Sequence, residues 1–488
     1  PFNIHLKTGA KKDGTLMARE AKVIMNNGAY NDKGLAVLTC AGYYFPILYR
    51  VPHVRYEGIA VYTNTVYGGA FRGFGNPQMT FAIESQMDRL AERLGIDPVE
   101  LRIKNSNQPG DTTISGAKIT SCALKECIET AASAIGLVRD RRRIPNRGIG
   151  IAAAFHSGAG HRMYNFNSAH AFISISESGK VNVFTGASDL GQGAETVLAQ
   201  IAAEELGMRF EDITIIAADT ETTPVDLGAV GSRTTFTSGN AVKSAATAVK
   251  KQLLEEASEQ LEANKDDLEA REGNIFVRGT PGIKLPIAKV IRSCYGKGHP
   301  VTGMGRFDDL YPPDLDPVVT GYGSFFPTFS FASQGVDVEV NQETGVVRVL
   351  KMVAAIDVGR ALNPMDCEGQ VQGALAQGMG FGLLEGLVWD RQGTVANPSF
   401  ADYRLVRSAD IPKVEVKLIE SIDPNGPFGA KGIGELGIDP TAAAISNAIY
   451  DAVGVRIRSL PITAEKIRKA LEQKSVFGNP EREKKEVL

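Results

Sequence analysis

Apolar residues recur along this chain in two rhythms. Alternating or β-branched runs come in pairs around glycine-containing turns, and longer stretches place apolar residues three and four positions apart. The paired form occurs in NIHLKTGAKKDGTLMAREAKVIMNNGAY, AFISISESGKVNVFTGASDLGQG and VDVEVNQETGVVRVLKMVAAIDVGR. Each predicts a β-hairpin leading into a glycine-bearing loop. Internal duplication and unrelated hairpins account for the similarity equally well. Residues 77–94 carry Met79, Ile83, Met87, Leu90 and Leu94 on one helical face, with Asn76 and Pro77 as N-cap and N1 pair. Further helices are predicted at 194–207, 241–264, 367–385, 440–453 and 463–473, and a short strand in VRIRSLP. Hairpins separated by helices read as α+β.

A chain of 488 residues exceeds one simple core. The polar stretch LVRDRRRIPNR, 137–147, reads as a linker, which divides the chain into domains 1–138 and 139–488. Residues 303–328, rich in Pro, Gly and aromatics, read as a long loop, and 480–488 as a frayed tail. The composition (43% hydrophobic, 22% charged, net charge −3) is that of a soluble globular protein without the basic field of a nucleic-acid binder. Five scattered cysteines predict no disulfide framework, and Cys122 and Cys127 lack the spacing of a zinc or iron–sulfur site. No 18-residue apolar run and no signal peptide is found, so the expectation is a cytoplasmic protein without a membrane partner. The chain starts at Pro1, directly in a strand pattern, and is expected to be a piece of something longer.

Many of the 52 glycines gather in short clusters. One of them, GIGELG, matches the G-x-G-x-x-G dinucleotide fingerprint at Gly432, Gly434 and Gly437, with Asp451 in place for a ribose. That fingerprint needs a strand running into its first glycine and a βαβ unit after it. Here VEVKLIES ends at Ser421, ten residues intervene, and only 34 follow the helix. The alternative centres on Glu435, an acid among small neighbours with Lys431 four positions earlier. Turned inward, desolvation would raise its pKa toward that of a general base. Turned outward, it would be a surface acid at the start of helix 440–453.

Three further glycine loops each open a helix. YGGAFRGFGNPQ sets Arg72 and Phe74 between glycines; GASDLGQGAETVLAQIAAEELG sets Gln192 between Gly191 and Gly193; VGSRTTFTSGNAV lines up hydroxyls with Arg233. Exposed amides at several helix entrances suit one large anionic ligand, although each alone could be an ordinary helix start.

Together with DVGRALNPMDCEGQVQGALAQGMGFGLLEG (357–386) and KGIGELG, these loops resemble, in the same order and over essentially the whole chain, the molybdenum-binding subunit of the xanthine oxidase family, the molybdenum hydroxylases. The resemblance implies an elongated two-domain α+β fold of mixed sheets with flanking helices, the cofactor lying between the domains. It also implies a molybdenum–molybdopterin cofactor in its cytosine dinucleotide form. No side chain is a metal ligand in this picture, and the chain carries no iron–sulfur cluster or FAD. Residue by residue, Arg72 corresponds to the arginine near the pyranopterin and molybdenum, flanked by Ala70 and Phe71. Phe74 corresponds to an aromatic that packs on substrate. Gln192 corresponds to the glutamine beside the apical oxo group, with Gly191 before it and Gly193, Ala194, Glu195 and Thr196 along the phosphates. Gly231 and Ser232 fall at the metal's edge, Arg233 beside them is a cofactor-binding candidate, and Lys431, Gly432, Ile433 and Gly434 lead to Glu435, the catalytic base. The implied activity is insertion of a water-derived oxygen at an electron-poor C–H, with electrons passed to [2Fe-2S] and FAD partner subunits or domains in a dimer of heteromers. A non-catalytic assembly relative is the alternative.

Two departures stand out. The family's upstream GGGFG-type segment is absent, so either the subunit is split between two polypeptides, with the missing segment as a partner, or this chain is part of a longer one. In an approximate alignment Cys40 falls where purine oxidisers have a substrate-binding arginine, and His161 and Arg162 where they have an aromatic and a threonine. These positions point away from xanthine and leave an N-heterocycle such as nicotinate, or an aldehyde, as substrate; Arg162 would receive an anionic one.

Overall fold

The computed structural model describes residues 1–137, 144–159, 167–308, 322–323 and 325–477. The boundary read at 138/139, most of the loop at 303–328 and the tail at 480–488 lie outside them. Strand β1 (Phe2–Ala10) pairs antiparallel with β2 (Leu16–Gly28), the first predicted hairpin. Helix α1 (Gly34–Tyr44) then crosses over, so that β3 (His53–Tyr62) lies parallel to β2. Burial alternates along all nine residues of β1, as in a sheet with one wet face. Helices α2 (Asn76–Leu94), α3 (Pro98–Asn105) and α4 (Leu124–Ile135) complete this part.

The next strand, β4 (Arg147–Ser157), organises the molecule. Ile151, Ala153 and Phe155 on one face join the core of the first part, while Ala152 and Ala154 on the other join a second core. A period of two thus lets one strand serve both cores. Beyond it come β5 (Ala169–Ile175), β6 (Val181–Thr185), helix α5 (Ala194–Leu206) and β7 (Ile213–Ala217). Helix α6 (Gly239–Leu261) follows, then β8 (Leu268–Arg271), β9 (Asn274–Val277), β10 (Thr280–Pro286), α7 (Ile287–Gly296) and β11 (Thr302–Phe307). The chain ends with β12 (Phe329–Val340), β13 (Val347–Asp357), α8 (Pro364–Leu383), β14 (Lys413–Ile419), α9 (Thr441–Val453) and α10 (Ala464–Phe477). The sheets have orders β1-β2-β3, β10-β9-β8, β11-β5-β6-β7 and β14-β13-β12-β4; the second and fourth are respectively all antiparallel and mixed.

Glycine decides how two helices dock. A Cβ on Gly148 or Gly150 of β4 would sit 2.2 Å from the carbonyls of Ala448 and Ala444, so only glycine lets α9 lie this close. Gly303 and Gly305 of β11 do the same for α6 against Ala245 and Ala241. Between α2, α3 and β4 a buried ion pair closes the join. Glu84 accepts from Arg102 Nε at 2.7 Å, from the Tyr49 hydroxyl at 2.6 Å and from the Ala153 amide at 2.7 Å.

All three predicted hairpins form, as β1–β2, β5–β6 and β12–β13. Three details differ. Residues 302–307 are a strand paired with β5, not loop, because both its glycines face a helix. VRIRSLP is irregular. The N-cap of α2 is Gly75, one residue before Asn76, whose side chain instead donates to Phe155 and Asp439. Helices α1, α3, α4 and α7 were not anticipated; α1 (GLAVLTCAGYY) is apolar nearly all round, which erases a helical face from its sequence.

Candidate active site

Four loops and helix α8 enclose a cavity of about 640 Å³. The first loop runs through Gly73 (φ 93°), Phe74 (φ 46°) and Gly75 (φ 94°), three consecutive left-handed residues. For Phe74 this conformation costs roughly 1–2 kcal/mol. It carries the chain sharply past the cavity into α2, so that Ala70, Phe71, Arg72 and Phe74 all line the wall. Arg72 donates to the Gly434 carbonyl at 2.5 Å, to Gln377 Oε1 at 3.0 Å and to Gln370 Oε1 at 3.1 Å. One planar guanidinium therefore ties three segments together.

Glu435 faces this cavity with its side chain 15% exposed. Its Oε1 accepts from the Gly73 amide at 3.2 Å, and its Oε2 from the Ser232 hydroxyl at 3.1 Å. The same hydroxyl accepts the Glu435 amide, also at 3.1 Å. Ser232 can do this because it too is left-handed, at φ 58°. His156, at the end of β4, brings Nε2 within 3.1 Å of Glu435 Oε2 and Nδ1 within 3.2 Å of Asp439 Oδ2, both off the line of an ideal hydrogen bond. The upward pKa shift expected for Glu435 is not what the surroundings produce. Burial does push it up, but the adjacent His156 charge, with the Gly73 and Ser232 donors, overrides burial and holds the carboxyl down at about 2. The residues alone left inward and outward orientations open, and the buried cation beside Glu435 had no signal in the sequence.

The remaining cofactor candidates divide. Gly191, Gln192, Gly193, Gly231, Ser232, Gly432, Ile433 and Gly434 line the cavity. Gln192 folds back on its own loop, with Nε2 donating to Ser188 at 2.9 Å. Arg233 and Lys431 line it as well but direct their charges inward. Arg233 pairs with Asp226 and donates to Asn167 Oδ1 at 2.8 Å, while Lys431 pairs with Asp357 at 2.8 Å. Both anchor the loops rather than offer a cation to a ligand. Ala194, Glu195 and Thr196 form the first turn of α5 behind the wall, where Val197 takes the lining position.

Of the substrate candidates, Phe74 is at the wall. Cys40 is not: it is 1% exposed in the core on α1, and Tyr44, one turn later, reaches the cavity instead. Burial, with the Glu435 charge, pushes the Cys40 thiol far up. His161 and Arg162 lie outside the described residues. Sequence reasoning missed His156, Asp439, Tyr44, Gln370 and Gln377. The last two had a signal, since seven positions on one helix is two turns and a shared face. His156 ends an apolar strand and offered none.

The wall is rich in donors. The π-helical turn Thr234–Ser238 begins after Arg233 without a side-chain cap, whereas in the first turn of α5 the Glu195 amide already donates to Asp189 Oδ2 at 3.3 Å. Uncapped first-turn amides are the groups that receive anions. With the amides of Gln370 and Gln377 they match a polyanionic, hydrogen-bonding ligand such as a pterin phosphate. Among the described residues no cluster of three or more His, Cys, Asp or Glu is placed to hold a metal. Fold and site thus define a class: an α+β protein with a large cavity suited to an anionic cofactor and the Glu435 carboxylate at its wall.

Residues 1–106 and 123–412 each match a molybdopterin cofactor-binding domain. The chain belongs to the xanthine oxidase family of molybdopterin-binding proteins. It is 32% identical to the xanthine dehydrogenase molybdenum-binding subunit of Escherichia coli O157:H7 over 96% of this chain and 62% of that one. It is 30% identical to the aldehyde oxidoreductase of Megalodesulfovibrio gigas over 96% of this chain and 49% of that one. Among solved structures, quinoline 2-oxidoreductase from Pseudomonas putida 86 superposes with a TM-score of 0.88 at 29% identity, covering 97% of this chain and 62% of that one. CO dehydrogenase from Oligotropha carboxidovorans gives 0.86 at 27%, covering 97% and 61%. The chain therefore spans less than two thirds of the length of these relatives.

Proposed function

We propose that this chain is the cofactor- and substrate-binding part of a molybdenum-dependent hydroxylase in which Glu435 is the general base. The observation that carries this reading is a carboxylate at the cavity wall, held by the Gly73 amide and the Ser232 hydroxyl with the His156 imidazole beside it. When bound, a molybdenum–pyranopterin supplies the water-derived oxygen and accepts the two electrons for hydroxylation of an electron-poor C–H. This chain's residues do the rest. Glu435 takes a proton at its cavity-facing carboxylate. Arg72 holds the backbone at Gly434 so that this carboxylate keeps its place. Phe74 and Tyr44 form an apolar wall against which a flat substrate packs and water is excluded. The uncapped start of the π-turn and the Gly191–Gly193 loop, with Gln370 and Gln377, hold the cofactor's phosphates and polar edges.

The substrate is read as an N-heterocycle or an aldehyde, packed against Phe74. The cofactor is read as the cytosine dinucleotide form. The electron acceptors are [2Fe-2S] and FAD subunits or domains in a cytoplasmic dimer of heteromers, with two domains of this chain meeting near 138/139. A relative named as the molybdenum-binding subunit of a larger enzyme supports the reading of this chain as one part of a multi-subunit complex. The test is Glu435→Gln in the purified complex with an artificial electron acceptor. Turnover should fall by about 10²–10⁴ with molybdenum content unchanged. Activity surviving in that variant overturns the base, and active protein without molybdenum and pterin overturns the class.

A further inference from the structure

The Glu435 carboxylate is one of three ionisable groups in a buried row. His156 is 1% exposed and Asp439 1% exposed, and the imidazole lies between the two carboxylates at 3.1 and 3.2 Å. The row joins separate elements: His156 ends β4, Glu435 sits on the loop after β14, and Asp439 lies just before α9. The strand makes this possible. Gly148, Gly150, Ala152 and Ala154 share the His156 face, and their small size brings α9 down onto β4 so that its leading residues meet the imidazole.

Other groups near the row are few. Tyr44 of α1 tilts over the imidazole with ring centroids 5.2 Å apart. Cys40 of the same helix and Arg72 of the loop before α2 act on Glu435 through space, and Asn76 of α2 donates to Asp439 Oδ2 at 3.1 Å. Asp439 Oδ1 has no hydrogen-bond partner among the described residues.

We propose that His156 and Asp439 are positioning residues for Glu435: the imidazole lies as a cation between the two carboxylates, holds the nearby Glu435 oxygen by charge, and is neutralised by Asp439, so that the three groups take up one proton as a unit. The inference rests on Glu435 being the base. The charge count explains why both partners are needed. Glu435 beside an imidazolium alone is a neutral pair, and a proton arriving there would leave the imidazolium buried without a counterion. With Asp439 the row carries one net negative charge at rest and none after a proton arrives at Glu435. The imidazolium then keeps Asp439 as its counterion and is never left buried and unpaired. Burial raises Asp439, and the His156 charge only partly offsets it, while the two carboxylates pull His156 upward against burial.

The test uses the assembled complex. In protein labelled with ¹⁵N-histidine, the resonances lost in His156→Gln identify the imidazole, which should remain doubly protonated at pH 8. A neutral His156 at that pH overturns the proposal without reference to turnover. In pH profiles of kcat/KM, His156→Gln should move the acid limb up by about one unit or more, because burial of Glu435 is then unopposed. Asp439→Asn should move it down and lower the plateau. A purely structural role would lower the rate alike at every pH, and limbs that stay in place in both variants overturn the proposal. If Glu435→Gln remains active, the underlying base assignment has failed. If it is inactive and the limbs do not move, only the present inference has.

Discussion

Arg72 and Gly434 are joined across 362 positions of sequence by a hydrogen bond from Nε to the carbonyl that precedes Glu435. The other two guanidinium nitrogens reach Gln377 and Gln370, so the loop bearing the acid and the helix α8 share one rigid fork. Lysine keeps the charge but not the fork. Arg72→Lys should lower kcat by about 10²-fold, since displacement of a reacting group by about 1 Å has that effect. Steady-state kinetics with molybdenum content measured on the same sample decides it, and wild-type kcat would mean the fork does not position Glu435.

Gly432 is packed against backbone, not side chain. A Cβ there would lie 1.7 Å from the Ser232 carbonyl, which neither loop can yield without dragging Ser232 off Glu435. Gly432→Ala should destabilise the protein by about 2 kcal/mol or more and reduce its molybdenum content. Thermal unfolding at matched concentration tests this; an unchanged Tm would show that the loops move freely.

Glu84 accepts from Arg102, Tyr49 and the Ala153 amide, and both members of the ion pair are fully buried. Removing it strands the Arg102 cation with Asp88 alone. Glu84→Ala should cost about 3–5 kcal/mol in denaturant unfolding. A loss below about 1 kcal/mol would place the pair among those that contribute little.

The His156 imidazole is pushed up from 6.5 to about 10, because the Glu435 and Asp439 charges override burial, which acts the other way. A folded pKa above the unfolded one stabilises fully below the unfolded value and is lost as pH rises through the folded value. Wild-type stability should therefore decline between about pH 6.5 and 10 by an amount absent from His156→Gln. Glu435 has the opposite sign: held at about 2, its contribution is present above its unfolded value of 4.5 and is lost as pH falls toward 2. Tm measured across both windows separates the two, and parallel curves for wild type and variant would contradict the first.

What was legible followed local rules. Three hairpins and six helices announced themselves by period, and the glycine loops by their clustering before helices. Helix α1 was hidden because its residues are apolar nearly all round. β11 was hidden because two of its six residues are glycines whose purpose is the approach of α6.

By itself the sequence determined the elements, the glycine loops and the presence of an acid at Glu435, since backbone period and glycine's small size act within a few residues. Only the tertiary structure decided what that acid does. Burial alone would raise its pKa. The reversal comes from His156, which β4 delivers across the fold, and Asp439, which α9 presses against it through Gly148 and Gly150. Charge interactions depend on distance in space, and nothing in the order of residues states that distance.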